Sequence, residues 1–202
     1  SQIRLTIARY FTPTGRFIQK PYEDVSDYRK DLTNRYDHGE YYHRDSIKLD
    51  ENLAIRTLIK GRKVYGGGGV MPDIFVPLDT TDVTEYYTKL IRKGSLYQYA
   101  TRYMNNNRAQ LVKKYPTVEV FMKDFKMDEK FMEEFFQFAK DEHEIEFNEE
   151  QYKISKKTLQ MYMKAYIGQN LYEPSAFYRI SNEGNEILQR AIQVLHSNEY
   201  KQ

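Results

Sequence analysis

Near Thr80 the spacing of apolar residues changes from short alternating runs to the three-to-four-residue interval of a helix, and does not change back. That switch confines the chain to a small β-rich portion followed by a helical one. Beyond it, Asp82-Val83-Thr84-Glu85 has capping-box spacing, Tyr86, Tyr87, Leu90 and Ile91 fall at helical intervals, and Gly94 offers a stop. Ser95 to Tyr115 reads as one or two helices, with Leu96, Tyr99, Ala100 and Tyr103 on one face, and Pro116 punctuates before a short Val118 to Phe125 segment. Asp128 can cap a helix carrying Phe131, Phe135 and Phe138 as one ridge. Asn148 and Gln151 have capping spacing before a long helix ending at Gly168. Pro174 opens a short element through Tyr178, and Ile187, Leu188, Ala191, Ile192 and Leu195 form a closing helix capped near Ser181 or Asn182. No repeat period appears that would make this half a solenoid.

Before the switch, Ile3, Leu5 and Ile7 alternate with Arg4, Thr6 and Arg9, and the run breaks at Pro13 and Gly15, the pattern of a strand entering a tight turn. With nothing before it to pair with, such a strand implies a chain taken from something larger. Gln19 to Asp50 is an excursion rich in Tyr and charge, with room for a short helix near Val25 to Asn34. Ile55, Thr57 and Ile59 resume strand alternation, with Gly61-Arg62 as the turn before Lys63-Val64-Tyr65. Gly66 to Gly69 then run into Val70-Met71-Pro72-Asp73-Ile74-Phe75-Val76-Pro77. A phosphate loop needs Lys and Ser/Thr opening a helix, which is missing here. Glycines suit close backbone approach, and Pro72 and Pro77 suit a sheet edge over Asp73 to Val76. The expected fold class is α+β: a small, mostly antiparallel portion over residues 1–80 and an all-α domain over 81–202.

The composition narrows function by exclusion. Lys and Arg number 31 against 29 Asp and Glu, so the formal charge is +2, too small a field to favour nucleic acid as a partner. There is no Cys, hence no disulfide and no thiolate metal site. No apolar run reaches membrane-span length, and Ser1-Gln2-Ile3-Arg4 is not a signal peptide. The mean hydropathy of -0.80 indicates amphipathic elements. The 19 Tyr and 11 Phe, with no Trp, suit aromatic contacts between helices or with a partner. His38 and His43 lie among Asp37, Glu40 and Asp45, yet their spacing matches no metal pattern. Ser1, Ser26, Ser46, Ser95, Ser155, Ser175, Ser181 and Ser197 read as loop, cap or polar-face residues, none in a Gly-x-Ser-x-Gly elbow, and His143 and His196 as helix-end cations. The residues alone assign no catalytic, cofactor-binding or metal site.

Two stretches nevertheless carry a resemblance. Ile3 to Ile18, containing Thr12-Pro13-Thr14-Gly15-Arg16, followed by Gly69-Val70-Met71-Pro72-Asp73, resembles the late part of the carboxyl-terminal processing (tail-specific) serine proteases. In that family a strand ending in Thr-Pro-x-Gly-Arg precedes a Gly-Ile-x-Pro-Asp segment; Val70 replaces the Ile. The insertion between the motifs and the Tyr-rich helical tail resemble the long forms of Bacteroides-type bacteria. The resemblance covers about the first 80 residues closely and the rest only in general character. It implies β-strands from the protease's catalytic sheet, a periplasmic or cell-envelope location and protein or peptide substrates. The family's Ser nucleophile and Lys base precede the first motif, so no catalytic residue maps onto this chain, which is expected to be inactive alone. The alternative is a helical module for docking a protein partner or for homo-oligomerisation.

Overall fold

In a computed structural model that describes residues 3, 5, 7–21 and 24–199, the chain divides into two units, Ser1–Leu78 and Asp79–Gln202.

The second unit holds helices α2 (Glu85–Arg92), α3 (Ser95–Lys114), α4 (Val118–Asp124), α5 (Glu129–His143), α6 (Glu149–Leu171), α7 (Pro174–Ser181) and α8 (Glu186–Ser197). Most begin where a side-chain oxygen satisfies an otherwise free backbone N–H of the first turn. Thr84 accepts from Tyr87 N, Thr117 from Val120 N, Asp128 from Phe131 N, Asn148 from Gln151 N and Asn185 from Leu188 N. Gly94, in the left-handed region at φ 70°, both ends α2 and begins α3. Pro174 takes the first turn of α7, where a missing N–H is tolerated.

Helix α6 is the member on which α2, α3 and α7 pack. Its Leu159, Met163 and Ile167 join Leu90, Leu96, Tyr99, Phe121, Phe135 and Ile180 in one buried core. Rings mesh edge to face within it: Tyr99 meets Phe131 at 5.3 Å between centroids, and Tyr115 meets Phe121 at 5.7 Å. The aromatic ridge of α5 therefore serves helix packing.

Three boundaries differ from the sequence expectation. Asp82 does not cap α2; its carbonyl accepts from Ser155 and its carboxylate from Thr158, both on α6, leaving the cap to Thr84. Gly168 does not stop α6 but is buried inside it, where an added Cβ would lie 2.7 Å from Ile180 Cδ1 on α7. The closing helix starts after Asn185 rather than near Ser181 or Asn182, because those residues finish α7 and the short 3-10 turn Asn182–Gly184.

The first unit holds helix α1 (Val25–Asp37), capped by Asp24, and an antiparallel pair, β1 (Ala54–Arg56) with β2 (Lys63–Tyr65), Ala54 opposite Tyr65 and Arg56 opposite Lys63. The chain is thus α+β, a two-stranded antiparallel sheet followed by helices. The expected strand over Ile3 to Arg9 is not formed: Ile3, Leu5 and Ile7 to Tyr10 lack strand pairing, and Arg4 and Thr6 lie outside the described residues. A strand without a partner leaves its ladder groups unsatisfied, so alternation alone does not hold it. The alternation at Ile55, Thr57 and Ile59 likewise ends early, with Thr57 N bonded to Arg62 O in a turn and Ile59 97% exposed. Asp73 to Val76 also forms no strand. Among the described residues, no helix is long and apolar enough to cross a membrane.

The buried rings give the fold a pH signature. Burial raises the Tyr87 hydroxyl from 10.0 to about 12 and pushes Tyr86 and Tyr99 upward as well. Unfolded tyrosines release their protons near pH 10 while the folded chain retains them, so this contribution is complete below about pH 10 and is lost as pH rises toward about 12. The denaturant midpoint should stay level through mild alkali and fall above about pH 10, with part of the tyrosinate absorbance appearing only on unfolding. A level midpoint to about pH 11.5 would contradict the assignment.

Candidate functional site

In the first unit the two motif stretches meet. The Thr-Pro-Thr-Gly sequence folds as a turn in which Gly15 N donates to Thr12 O at 2.8 Å, with Gly15 at φ 78°. An isolated bridge joins Phe11 to Phe17 across it. The chain leaving this turn is then received by the glycine run: Gly67 N donates to Phe17 O and Gly69 N to Ile18 O, both at 2.8 Å. Gly66 makes the approach possible, since a Cβ there would sit 2.7 Å from Phe17 O. On its other side the run is held by Arg35, whose Nη2 donates to Gly68 O at 2.8 Å while Nε faces Asp31 at 3.0 Å. Arg16 Nη1 donates to Tyr65 O at 3.4 Å, linking the first motif to β2.

The Arg16–Tyr65 contact borders a hollow of about 680 Å³ whose wall carries Arg16, Arg44, Arg62 and Lys63 beside Asp45 and Asp73. Two of the cations are answered nearby. Arg62 pairs with Asp73 at 3.1 Å, and Lys63 pairs with Glu51, which also accepts from the Tyr65 hydroxyl. Hydrogen bonds from Lys63 and Tyr65 hold the Glu51 carboxyl below its ordinary range, and the bond to Glu51 raises Lys63. Among the described residues, no carboxylate pairs with Arg16 or Arg44. Arg16 Nε is sealed from solvent without an acceptor. Asp73 ends as a surface ion-pair partner rather than a strand residue.

The second unit contains the one serine–histidine hydrogen bond between side chains among the described residues, Ser95 Oγ to His143 Nδ1 at 3.0 Å. Both Ser95 and Ser155 are fully buried, contrary to the loop, cap and polar-face reading of the serines. A nucleophile must reach its substrate, and Ser95 is closed off in the first turn of α3, so the contact pins the start of α3 to the end of α5. Ser155 ties Asp82 to α6 in the same manner. Local sequence gave no signal for either, because the partners lie 48 and 73 positions away. Burial lowers Lys164, whose Nζ donates to Met122 O, and no described serine hydroxyl is hydrogen-bonded to a lysine. His38 and His43 are exposed, and among the described residues no three His, Asp or Glu side chains gather as a metal site would require.

A family model described as a family of unknown function (DUF8443) matches residues 86–173, which run from the first turn of α2 to the residue before α7. No curated protein and no solved structure matches the chain.

The glycine run yields a direct test. Gly66→Ala forces its Cβ against a backbone carbonyl, which cannot rotate aside, and should cost about 1–3 kcal/mol of local stability. Hydrogen exchange should speed up at the amides of Gly67 and Gly69 while those of α6 are unchanged. Equal protection in wild type and variant would refute the close approach.

Proposed function

We propose that this chain is the non-catalytic, C-terminal part of a carboxyl-terminal processing serine protease of the cell envelope, acting on protein or peptide substrates. The observation that carries the reading is the junction itself: the Thr12 to Arg16 turn and the Gly66 to Gly69 run, far apart in sequence, meet through Gly67 N to Phe17 O and Gly69 N to Ile18 O. The two stretches that bear the resemblance therefore behave as one structural element, as parts of a common protease core would. On this reading the Ser nucleophile and Lys base stand on residues preceding the first motif, and the chain supplies support for them.

The test is to recover the native polypeptide that carries this sequence and expose it to a serine-directed fluorophosphonate. It should be labelled and should cleave an unfolded reporter with an apolar C-terminus, whereas the 202-residue chain alone does neither. A native polypeptide that is neither labelled nor active refutes the assignment.

A second reading, a helical docking or self-association module, is favoured by α8, which buries none of its residues and leaves Ile187 and Leu195 each 61% exposed along one face. The family match over residues 86–173 supports treating α2 to α6 as a module, with α7 and α8 following it. Light scattering of the full chain should then give a mass that falls on dilution, and Ile187→Glu with Leu195→Glu should hold it monomeric. A wild-type monomer at about 100 µM, well above the dissociation constant of a specific homodimer, excludes self-association.

A further inference from the structure

We infer that the hollow of the first unit binds a small amphipathic carboxylate, its head taken by Arg16 and Arg44 and its apolar body laid on Ile47, Leu49, Val70 and Met71. This inference is independent of the protease reading and stands on the geometry of the wall.

The volume of about 680 Å³ lies in the range of small-molecule sites. Its wall combines an apolar side with a few fixed polar groups, the division such sites use to hold a ligand and orient it. Val70 and Leu49 are exposed there, so an apolar body covering them is removed from water. The sign of the head follows from the unpaired charges. Arg62 and Lys63 already have Asp73 and Glu51. Arg16 and Arg44 have no carboxylate, and Asp45 on the same wall has no basic partner among the described residues. Setting two cations against one anion leaves a single excess positive charge. A monoanionic carboxylate neutralises it, whereas a phosphate dianion overshoots it.

Arg16 is prepared for this role. Its Nη1 donates to Tyr65 O at 3.4 Å, and no carboxylate among the described residues answers the charge of this half-buried guanidinium, whose sealed Nε is not offered to a ligand. A planar guanidinium so positioned takes a carboxylate with directional, charge-assisted hydrogen bonds. Arg44, on the short turn Arg44–Ser46, is exposed and contributes the second cation.

The test uses the full chain and titrates octanoate, octan-1-ol and inorganic phosphate by calorimetry, with amide shifts of residues 44–49 and 70–73 as the site readout. Octanoate should saturate at one site and octan-1-ol should bind about tenfold weaker or less, the loss expected for one charge-assisted contact. Arg44→Gln and Arg16→Met should each weaken octanoate by a similar factor, and Asp45→Asn should tighten it. Arg44 is exposed and makes no ion pair among the described residues, so its variant remains informative if Arg16→Met fails to fold. Equal binding of octanoate and octan-1-ol, unchanged affinity in Arg44→Gln, or absence of saturation overturns the inference. Displacement of octanoate by an equal concentration of inorganic phosphate overturns the choice of a carboxylate.

Discussion

The helical unit depends on α6 continuing as a helix past Gly168 while remaining narrow enough there for another helix to reach it. Gly168 is buried, Ala165 one turn earlier is buried, and Ala176 of α7 lies 3.8 Å from where a Gly168 side chain would begin. Small residues at the crossing let Ile180 and Phe121 close over the backbone of α6, where a larger residue would hold them off. Near the opposite end of α6, Ser155 and Thr158 draw in the segment before α2 through Asp82, and Gln151 Oε1 accepts from Tyr86 N at 2.6 Å. One helix thereby fixes the entry of the unit at its first turns and the chain reversal into α7 at its last.

The first unit obeys a different constraint. It has few regular elements and, among the described residues, no buried core residue, so its backbone groups must be satisfied in turns and by side chains. Glycine meets that need where chains come closest, with Gly66 against Phe17 O and Gly67 against Leu53. Arginine meets it where carbonyls would be left open, as Arg35 does for Gly68 O and Arg16 for Tyr65 O. The motif stretches are rich in residues that shape a backbone because, in this unit, the backbone is what has to be joined.

What could be read from sequence follows from how far each determinant reaches. The caps at Asp128 and Asn148 were legible because acceptor and donor are three residues apart. The cap at Asp82 misled, since its oxygens are claimed by α6, more than 70 residues on, and no local rule reports such competition. Gly168 looked like a stop because glycine commonly ends helices, while the reason for it here is a partner helix that sequence order does not reveal. The strand expected over Ile3 to Arg9 illustrates the reverse case: its alternation is genuine, but pairing is a property of two segments. Of the candidate site, the glycines were legible as points of close approach. The pairing state of Arg16 and Arg44 was not, because it depends on which carboxylates reach them.

The division of chemistry between the units bears on what the motif residues do. A catalytic role calls for groups whose protonation is shifted toward the task and which a substrate can reach. In the second unit, the largest shifts fall on buried tyrosines, and Lys164 is lowered too; desolvation is the main cause, and core rings or a backbone carbonyl surround the groups. Near the motifs the shifted groups are Lys63 and Glu51, which answer each other at the surface, and Lys20, raised by its bonds to Asp27 and Asp31. Each of these shifted groups is thus held by its own packing or ion pair. Arg16, Gly15 and Asp73 are better explained by what their geometry does directly: a left-handed turn residue, a guanidinium bridging to β2, and an ion pair that closes one wall of the hollow. The turn, the bridge and the ion pair account for these residue types without asking any of them to carry a proton, and the unanswered charge of Arg16 is the feature that packing alone does not explain.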